Sequence, residues 1–283
     1  HGVKMANAAV NECDVLFLVG ARVGDRAVKT PLALEKTTKI IHIDIDPAEI
    51  GKNIGADLPL VGDAKLVLQQ MTELAKPMKH DEWIAHIKTL GGERKYVEPA
   101  KGTVNPRVFI DRLAKKMPAN VTVVADVGQN QIWTCTEYKF RKEGRLLTSG
   151  GMGTMGYSVP AAIGAKMADN SRATVAICGD GAFQMSFMEL ATAVQFGVDI
   201  KVVVMTNNRL GMVRELQTNG YHDRQTAVFL DGSPDFIKLA EAYGIPAMRV
   251  YDDDTMEKGV EMLAEHKGIC LVEVVVDKDM PTL

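Results

Sequence analysis

Short continuous runs of Val, Ile, Leu and Ala recur along the chain, at 15–19, 40–45, 121–125, 173–178, 200–205 and 270–276, with a shorter run at 247–251. A run without polar alternation marks a strand buried on both faces, the habit of parallel sheets. Between these runs apolar residues return at helical spacing, and turn residues punctuate them. Asn105-Pro106 offers a cap and a proline at the first helical position before Phe109, Ile110 and Leu113. Ser233-Pro234 predicts the same kind of start before Phe236, Ile237, Leu239 and Ala240. Strand, turn and helix in repetition predict an α/β fold with parallel sheets and helices on both faces. A helix is expected around 7–10, directly ahead of the first strand, so the pattern opens inside an element and further chain is expected upstream. From about 72 to 104 the rhythm breaks: Lys76-Pro77, an amphipathic segment with Trp83, Ile84, Ile87 and Leu90, then Gly91-Gly92, Pro99 and Gly102. That stretch predicts a linker with one helix at 76–104, between a region 1–75 and a larger region 105–283.

Composition removes several classes. Of 283 residues, 46% are hydrophobic and 24% charged, the balance of a folded globular protein with ample material for a core. Lys and Arg number 33 against 36 Asp and Glu, a net charge of −3 with no block of one sign. Nucleic-acid binding would leave a basic excess or stripe, so that partner is not expected. No apolar run approaches the roughly 20 residues that span a bilayer, and no basic-then-apolar leader opens the chain. Cys13, Cys135, Cys178 and Cys270 are scattered without a CxxC pair, which predicts reduced thiols in a cytoplasmic protein rather than disulfides or zinc.

The chemistry concentrates between 173 and 212. A strand ends in Gly179-Asp180-Gly181, a helix is expected over about 182–196, and a second strand ends in Thr206-Asn207-Asn208. A right-handed βαβ crossover lays two such strands parallel, so Asp180 and Asn207 share a carboxyl edge, where α/β sheets bind ligands. One carboxylate and one amide oxygen are hard ligands suited to Mg²⁺ with phosphate oxygens and water. Backbone N–H groups of Gly181 and Ala182 suit an anion, and Gly179 and Gly181 allow close approach of a phosphate. The plainer reading is that both are connecting turns, and it carries about equal weight when either motif stands alone. Two further strand ends add polar groups, at Asp126-Val-Gly-Gln-Asn-Gln131 and at Thr148-Ser-Gly-Gly-Met-Gly-Thr-Met-Gly-Tyr157. Gly151, Gly153 and Gly156 in the latter match GxGxxG, the dinucleotide fingerprint, but no first βαβ unit or acidic strand end accompanies it. Asp252-Asp253-Asp254 precedes a helix and is read as favouring its positive end, and the scattered histidines and the 15 methionines as surface and packing.

Gly179-Asp180-Gly181 followed by Asn207-Asn208 resembles the motif of thiamine-diphosphate-dependent enzymes. The finer resemblance is to the large catalytic subunit of the acetohydroxyacid (acetolactate) synthases. It is carried by Ser149-Gly-Gly-Met-Gly-Thr-Met-Gly156, Asp126-Val-Gly-Gln-Asn-Gln131, Asn207-Asn-Arg-Leu-Gly-Met-Val213, Gly20-Ala-Arg-Val-Gly-Asp-Arg26 and His42-Ile-Asp-Ile-Asp-Pro47, with His1-Gly2 and Ala6-Asn7. It covers essentially the whole chain. It implies a partial central Rossmann-like domain at 1–75 and a thiamine-diphosphate-binding domain at 105–283. Asp180, Asn207 and the carbonyl of Arg209 are implied as Mg²⁺ ligands. Gln129, Asn130, Gly179, Gly181 and Ala182 are implied at the diphosphate, Gly153 and Met155 at the aminopyrimidine, and Gly211 and Met212 beside the cofactor. Asn130 stands where the family has His. Met155 is implied to bend the cofactor, and Arg26 to grip the carboxylate of a second keto acid. Arg22, Asp44, Ile45 and Asp63 correspond to FAD-contacting positions. The implied reaction removes CO₂ from pyruvate and joins the remaining two-carbon unit to pyruvate or 2-oxobutyrate, in branched-chain amino-acid biosynthesis.

Two departures change what is expected. Leu216 replaces a Trp that favours 2-oxobutyrate in the family; one apolar contact is worth roughly 1 to 3 kcal/mol, so acceptor preference shifts without loss of chemistry. The family's N-terminal domain, with its catalytic glutamate, has no counterpart in these residues, so the chain alone is expected to be inactive. A homo-oligomer, dimer or tetramer, and a small regulatory subunit are further implied partners. The competing readings are a non-catalytic thiamine-diphosphate-binding subunit of a split enzyme, and pyruvate oxidase, glyoxylate carboligase or a 2-keto acid decarboxylase. A nicotinamide-dependent dehydrogenase is the reading from GxGxxG alone.

Overall fold

The computed structural model describes residues 2–24, 27–28, 31–91 and 96–282. The chain divides into two compact units, 1–94 and 95–283.

In the first unit, α1 (Lys4–Glu12) leads into β1 (Val15–Val19), followed by α2 (Pro31–Glu35), β2 (Lys39–Asp44), β3 (Leu58–Val61), α3 (Ala64–Leu74) and α4 (Asp81–Thr89). The three strands form one parallel sheet in the order β1-β2-β3. The sequence pattern did not predict β3, whose Pro59 interrupts the apolar run; it is an outer strand of this sheet, the place where a missing N–H is tolerated. A small core of Leu18, Val23, Leu34, Ile40 and Ile54 lies to one side of the sheet. Helix α4, expected within 76–104, is part of this unit.

The second unit runs α5 (Pro106–Lys116), β4 (Thr122–Ala125), α6 (Gln129–Glu137), β5 (Arg145–Thr148), α7 (Ser158–Ala168), β6 (Thr174–Gly179), α8 (Asp180–Gln184), a 3₁₀ turn (Phe187–Glu189) and α9 (Leu190–Gln195). It continues through β7 (Lys201–Thr206), α10 (Gly211–Gly220), α11 (Phe236–Ala242), β8 (Ala247–Val250), α12 (Asp253–Glu265) and β9 (Cys270–Val275). Six parallel strands form one sheet in the order β5-β4-β6-β7-β9-β8. Alternate residues of the central strands serve opposite faces, which is why the runs are mainly apolar. Val123, Val175, Ile177 and Val203 meet Phe109 and Leu113 of α5, Trp133 of α6 and Leu263 of α12. Val124, Ala176, Cys178 and Val204 meet Val159 of α7, Phe183 of α8, Leu190 of α9 and Phe236 of α11.

Capping explains three of the helix starts in this unit. Asn105 accepts from Arg107 N and Val108 N, with Pro106 at the first position, as the sequence predicted. The start of α11 lies later than Ser233-Pro234: Asp235 is the cap and accepts from Ile237 N and Lys238 N, while the Ser233 hydroxyl donates to Leu230 O. Asp252 and Thr255 form a reciprocal capping box on α12, so the acidic triplet serves a helix end. The helix expected over 182–196 is broken, because Met185 N and Ser186 N tighten onto the carbonyls three residues back and Ser186 leaves helical geometry.

Candidate functional site

Strands β6 and β7 are direct neighbours, so their carboxyl ends bring Gly179-Asp180-Gly181 and Thr206-Asn207-Asn208 together. Asp180 is buried, 2% exposed. Its Oδ1 accepts from Gly181 N at 2.8 Å, and its Oδ2 accepts from Asn207 N at 3.1 Å and Asn208 N at 2.7 Å. Asn208 adopts a left-handed φ of 54°, a region that Asn tolerates better than most residues. Burial pushes the Asp180 carboxyl up to about 6, against the opposing pull of those backbone N–H groups. Among the described residues no Lys or Arg forms an ion pair with it. An anion so placed favours the arrival of a cation.

Asn207 is oriented from both ends. Its Nδ2 donates to Gln129 Oε1 at 3.2 Å, and its Oδ1 accepts from Arg209 N at 3.1 Å. An amide oxygen has two lone pairs, so one remains for a ligand. The next residues are braced by a short antiparallel contact between Arg209 and Phe229. Leu210 N donates to Val228 O at 2.9 Å and Leu230 N to Asn208 O at 3.0 Å. The Arg209 guanidinium lies 4.6 Å from the Phe229 ring centre and donates to Asp231 at 2.9 Å.

These residues border an open cleft of about 550 Å³, solvent at its mouth included. Gln129, Asn130, Met155, Gly179, Asp180, Gly181, Ala182, Asn207, Arg209, Gly211 and Met212 all line it, so the second unit's expected site residues converge with one exception. The exception is Gly153, which turns the loop after β5 at a φ of 70° and lies outside the lining. Three glycines are cradles with no space for a methyl group. A Cβ on Gly181 would lie 2.8 Å from Leu210 Cδ2, one on Gly211 1.9 Å from Gln129 Oε1, and one on Gly128 2.7 Å from Asn130 Oδ1. Met155, Trp133, Met205, Leu210 and Val213 give the cleft an apolar wall beside its polar floor. Hard oxygen donors, glycines that allow backbone approach and apolar side chains in one cleft fit a divalent ion, a diphosphate and a heteroaromatic ring.

The two amides implied at the diphosphate spend their hydrogens within the protein. Asn130 Nδ2 donates to Asp126 O at 2.9 Å and Ile177 O at 3.2 Å, so its hydrogens are engaged inside the protein. Gln129 Nε2 likewise donates to Met280 O, Thr282 Oγ1 and Glu215 Oε2. Sequence reasoning passed over several residues that build the site. Asp126 is fully buried and accepts from Val127 N, Gly156 N and Ser158 N, which ties the glycine loop bearing Met155 to the end of β4. Its place beside the quoted glycine motif was the available signal. The N–H groups of Gly156 and Ser158 are therefore engaged by a carboxylate, not free for a phosphate as in a dinucleotide fingerprint. Glu215, Thr282 and Leu230 carried no local signal, since only tertiary folding brings them here.

In the first unit, Asp44 ends β2 and accepts from Asp46 N at 2.9 Å, and Ile45 beside it is 72% exposed. The Arg22 carbonyl accepts from Asn53 Nδ2 at 2.9 Å. Asp63 caps α3, accepting from Leu66 N at 3.0 Å, so that carboxylate has a structural partner. Arg26 lies outside the described residues.

Comparison with known proteins follows the same division. Residues 126–274, just over half the chain, match the C-terminal TPP binding domain of thiamine pyrophosphate enzymes, and residues 1–71 match their central domain. A probable acetolactate synthase large subunit from Methanocaldococcus jannaschii is 39% identical over 98% of this chain and 49% of its own length. The acetolactate synthase large subunit of Lactococcus lactis is 36% identical over 98% of this chain and 48% of its own length. For the isozyme 2 large subunit of Escherichia coli the figures are 35%, 98% and 50%. The chain spans about half the length of these relatives. With the Asp180–Asn207 edge in place and both family domains matched in order, the chain belongs to the thiamine pyrophosphate enzymes.

Proposed function

We propose that this chain is the cofactor-binding part of an acetolactate synthase, with region 1–75 as the back half of the flavin domain and 105–283 as the thiamine-diphosphate domain. The observation that carries the reading is the meeting of Asp180 and Asn207 at adjoining strand ends, with Asn207 N donating to Asp180 Oδ2 at 3.1 Å. Asp180, the Asn207 side-chain oxygen and the Arg209 carbonyl would hold Mg²⁺, a set of hard oxygens. Gly179 and Gly181 carry no Cβ and allow close approach of the diphosphate, Ala182 would offer its N–H while that of Gly181 is already given to Asp180 Oδ1, and Asn130 and Gln129 shape its surroundings. Met155, Gly153, Gly211 and Met212 would bound the heteroaromatic part. Thiamine diphosphate, when bound, supplies the electron sink for decarboxylation and its own proton-transferring base. The chain's residues fix the ion, hold the ring against the apolar wall and limit water there. Arg26 would receive the carboxylate of the acceptor keto acid.

Pyruvate is the proposed donor and pyruvate or 2-oxobutyrate the acceptor, with Leu216 relaxing the preference for the latter. FAD would meet Arg22, Asp44, Ile45 and Asp63 in the complete protein, which is proposed to be a cytoplasmic homo-oligomer with a small regulatory subunit. Among the described residues no helix is long and apolar enough to cross a membrane.

Calorimetric titration of the chain with thiamine diphosphate, with and without Mg²⁺, tests the site. Binding that requires Mg²⁺ and vanishes in Asp180→Asn is expected; metal-independent binding, or none, would reject the reading. Product analysis with the complete protein and pyruvate tests the reaction, and acetolactate is the expected product.

A further inference from the structure

We propose that Glu215 and Thr282 are positioning residues which, acting through Gln129, decide which end of the Asn207 amide is turned to the ion. The inference rests on the metal–diphosphate reading above. An amide side chain presents an oxygen and an NH₂ on nearly the same outline, so its neighbours settle which way round it sits. At Asn207 that choice has a chemical consequence, because Mg²⁺ takes oxygen.

Gln129 Oε1 accepts from Asn207 Nδ2 at 3.2 Å, which leaves Asn207 Oδ1 on the side of the metal loop. Gln129 is itself held one way round. Its Nε2 donates to Met280 O at 2.9 Å, Thr282 Oγ1 at 3.1 Å and Glu215 Oε2 at 3.2 Å. A carbonyl and a carboxylate have no hydrogen to offer, so inverting Gln129 would set oxygen against oxygen. The Thr282 hydroxyl donates to Glu215 and therefore turns a lone pair towards Gln129. Glu215 also accepts from Thr282 N, and Trp133 Nε1 donates to Pro281 O at 3.1 Å, which seats the turn around 280–282. Gln129 is 4% and Thr282 6% exposed, so water does not substitute for these partners. Gly211 completes the arrangement, since any Cβ there would occupy the position of Gln129 Oε1. Polarity thus passes from an obligate acceptor at Glu215, through one amide, to the orientation of a metal-facing amide.

The test is calorimetric titration of Mg²⁺ into the full chain with thiamine diphosphate present, beside the thermal midpoint of the metal-free chain. Thr282→Val and Glu215→Gln, which remove or scramble the acceptor, are expected to weaken Mg²⁺ binding about tenfold, the effect of roughly 1.4 kcal/mol in orientation. Thr282→Ser, which keeps the hydroxyl, is expected to bind within about twofold of the unsubstituted chain, and Thr282→Val to keep its metal-free thermal midpoint. Unchanged Mg²⁺ affinity in both disrupting variants would overturn the inference. So would a Thr282→Ser variant as weak as Thr282→Val, or losses matched by lower metal-free stability, since either would mark a purely structural role. If the unsubstituted chain shows no Mg²⁺-dependent binding, the metal-site reading falls and takes this inference with it.

Discussion

Asp126 is a carboxylate with no solvent exposure and three backbone donors, from Val127, Gly156 and Ser158, at 2.9, 3.0 and 2.8 Å. Removing it leaves three buried N–H groups without a partner, and each such group costs about 1–3 kcal/mol, less than additively. Asp126→Ala is therefore expected to lower stability by about 3–5 kcal/mol in urea unfolding, and a loss below about 1 kcal/mol would show that water replaces the carboxylate. The same scale shows what local sequence conveys. Asp180 and Asn207 were legible because each ends a predicted strand in a recognisable motif. Asp126 was visible only as part of a motif, since its partners lie 30 and 32 residues downstream.

Among the elements, α12 packs unusually near the sheet. A Cβ on Gly259 would lie 2.6 Å from Val250 Cγ2 and 3.3 Å from Val272 Cγ1, both on strands buried at 0% exposure. Alanine gains up to about 1 kcal/mol over glycine in a helix interior, whereas overpacking costs typically about 1–3 kcal/mol. The steric cost wins, so Gly259→Ala is expected to lower the urea midpoint; a raised midpoint would mean that the helix moves away freely. In the first unit, Asp57 accepts from Ile40 N and Lys39 Nζ, both at 2.9 Å, and these bonds hold its carboxyl below the usual range. A depressed folded-state value gives stabilisation that is present above the ordinary carboxylate range and is lost as pH falls through the depressed value. Asp57→Asn is thus expected to lower the thermal midpoint at neutral pH, and the gap to the unsubstituted chain should close in strong acid. The elements that the sequence misplaced have two causes. Pro59 lies in a strand held by its distant partner β2, whereas at Ser233-Pro234 and near Ser186 competing local hydrogen bonds, from Asp235 and from carbonyls three residues back, decided the conformation.

For the whole molecule, the two units differ in how much they bury. Among the described residues the first unit has a small core cluster of five buried apolar side chains, while the second covers both faces of its sheet. Local opening is easiest where buried apolar contact is least. Hydrogen exchange is therefore expected to be faster in β1 and β3 than in β4, β6 and β7, and equal protection would contradict the difference in core.

Periodicity alone determined the α/β class, the parallel order of strand and helix, and the convergence of Asp180 with Asn207, because strands buried on both faces must be apolar and their carboxyl ends must coincide. Tertiary structure decided how the amides of Gln129 and Asn130 are used and that Glu215 and the turn around 280–282 reach the cleft. Hydrogen-bond partners 151 and 153 residues apart leave no periodic trace in a chain. A donor and an acceptor declare themselves only when folding places them within about 3 Å of each other.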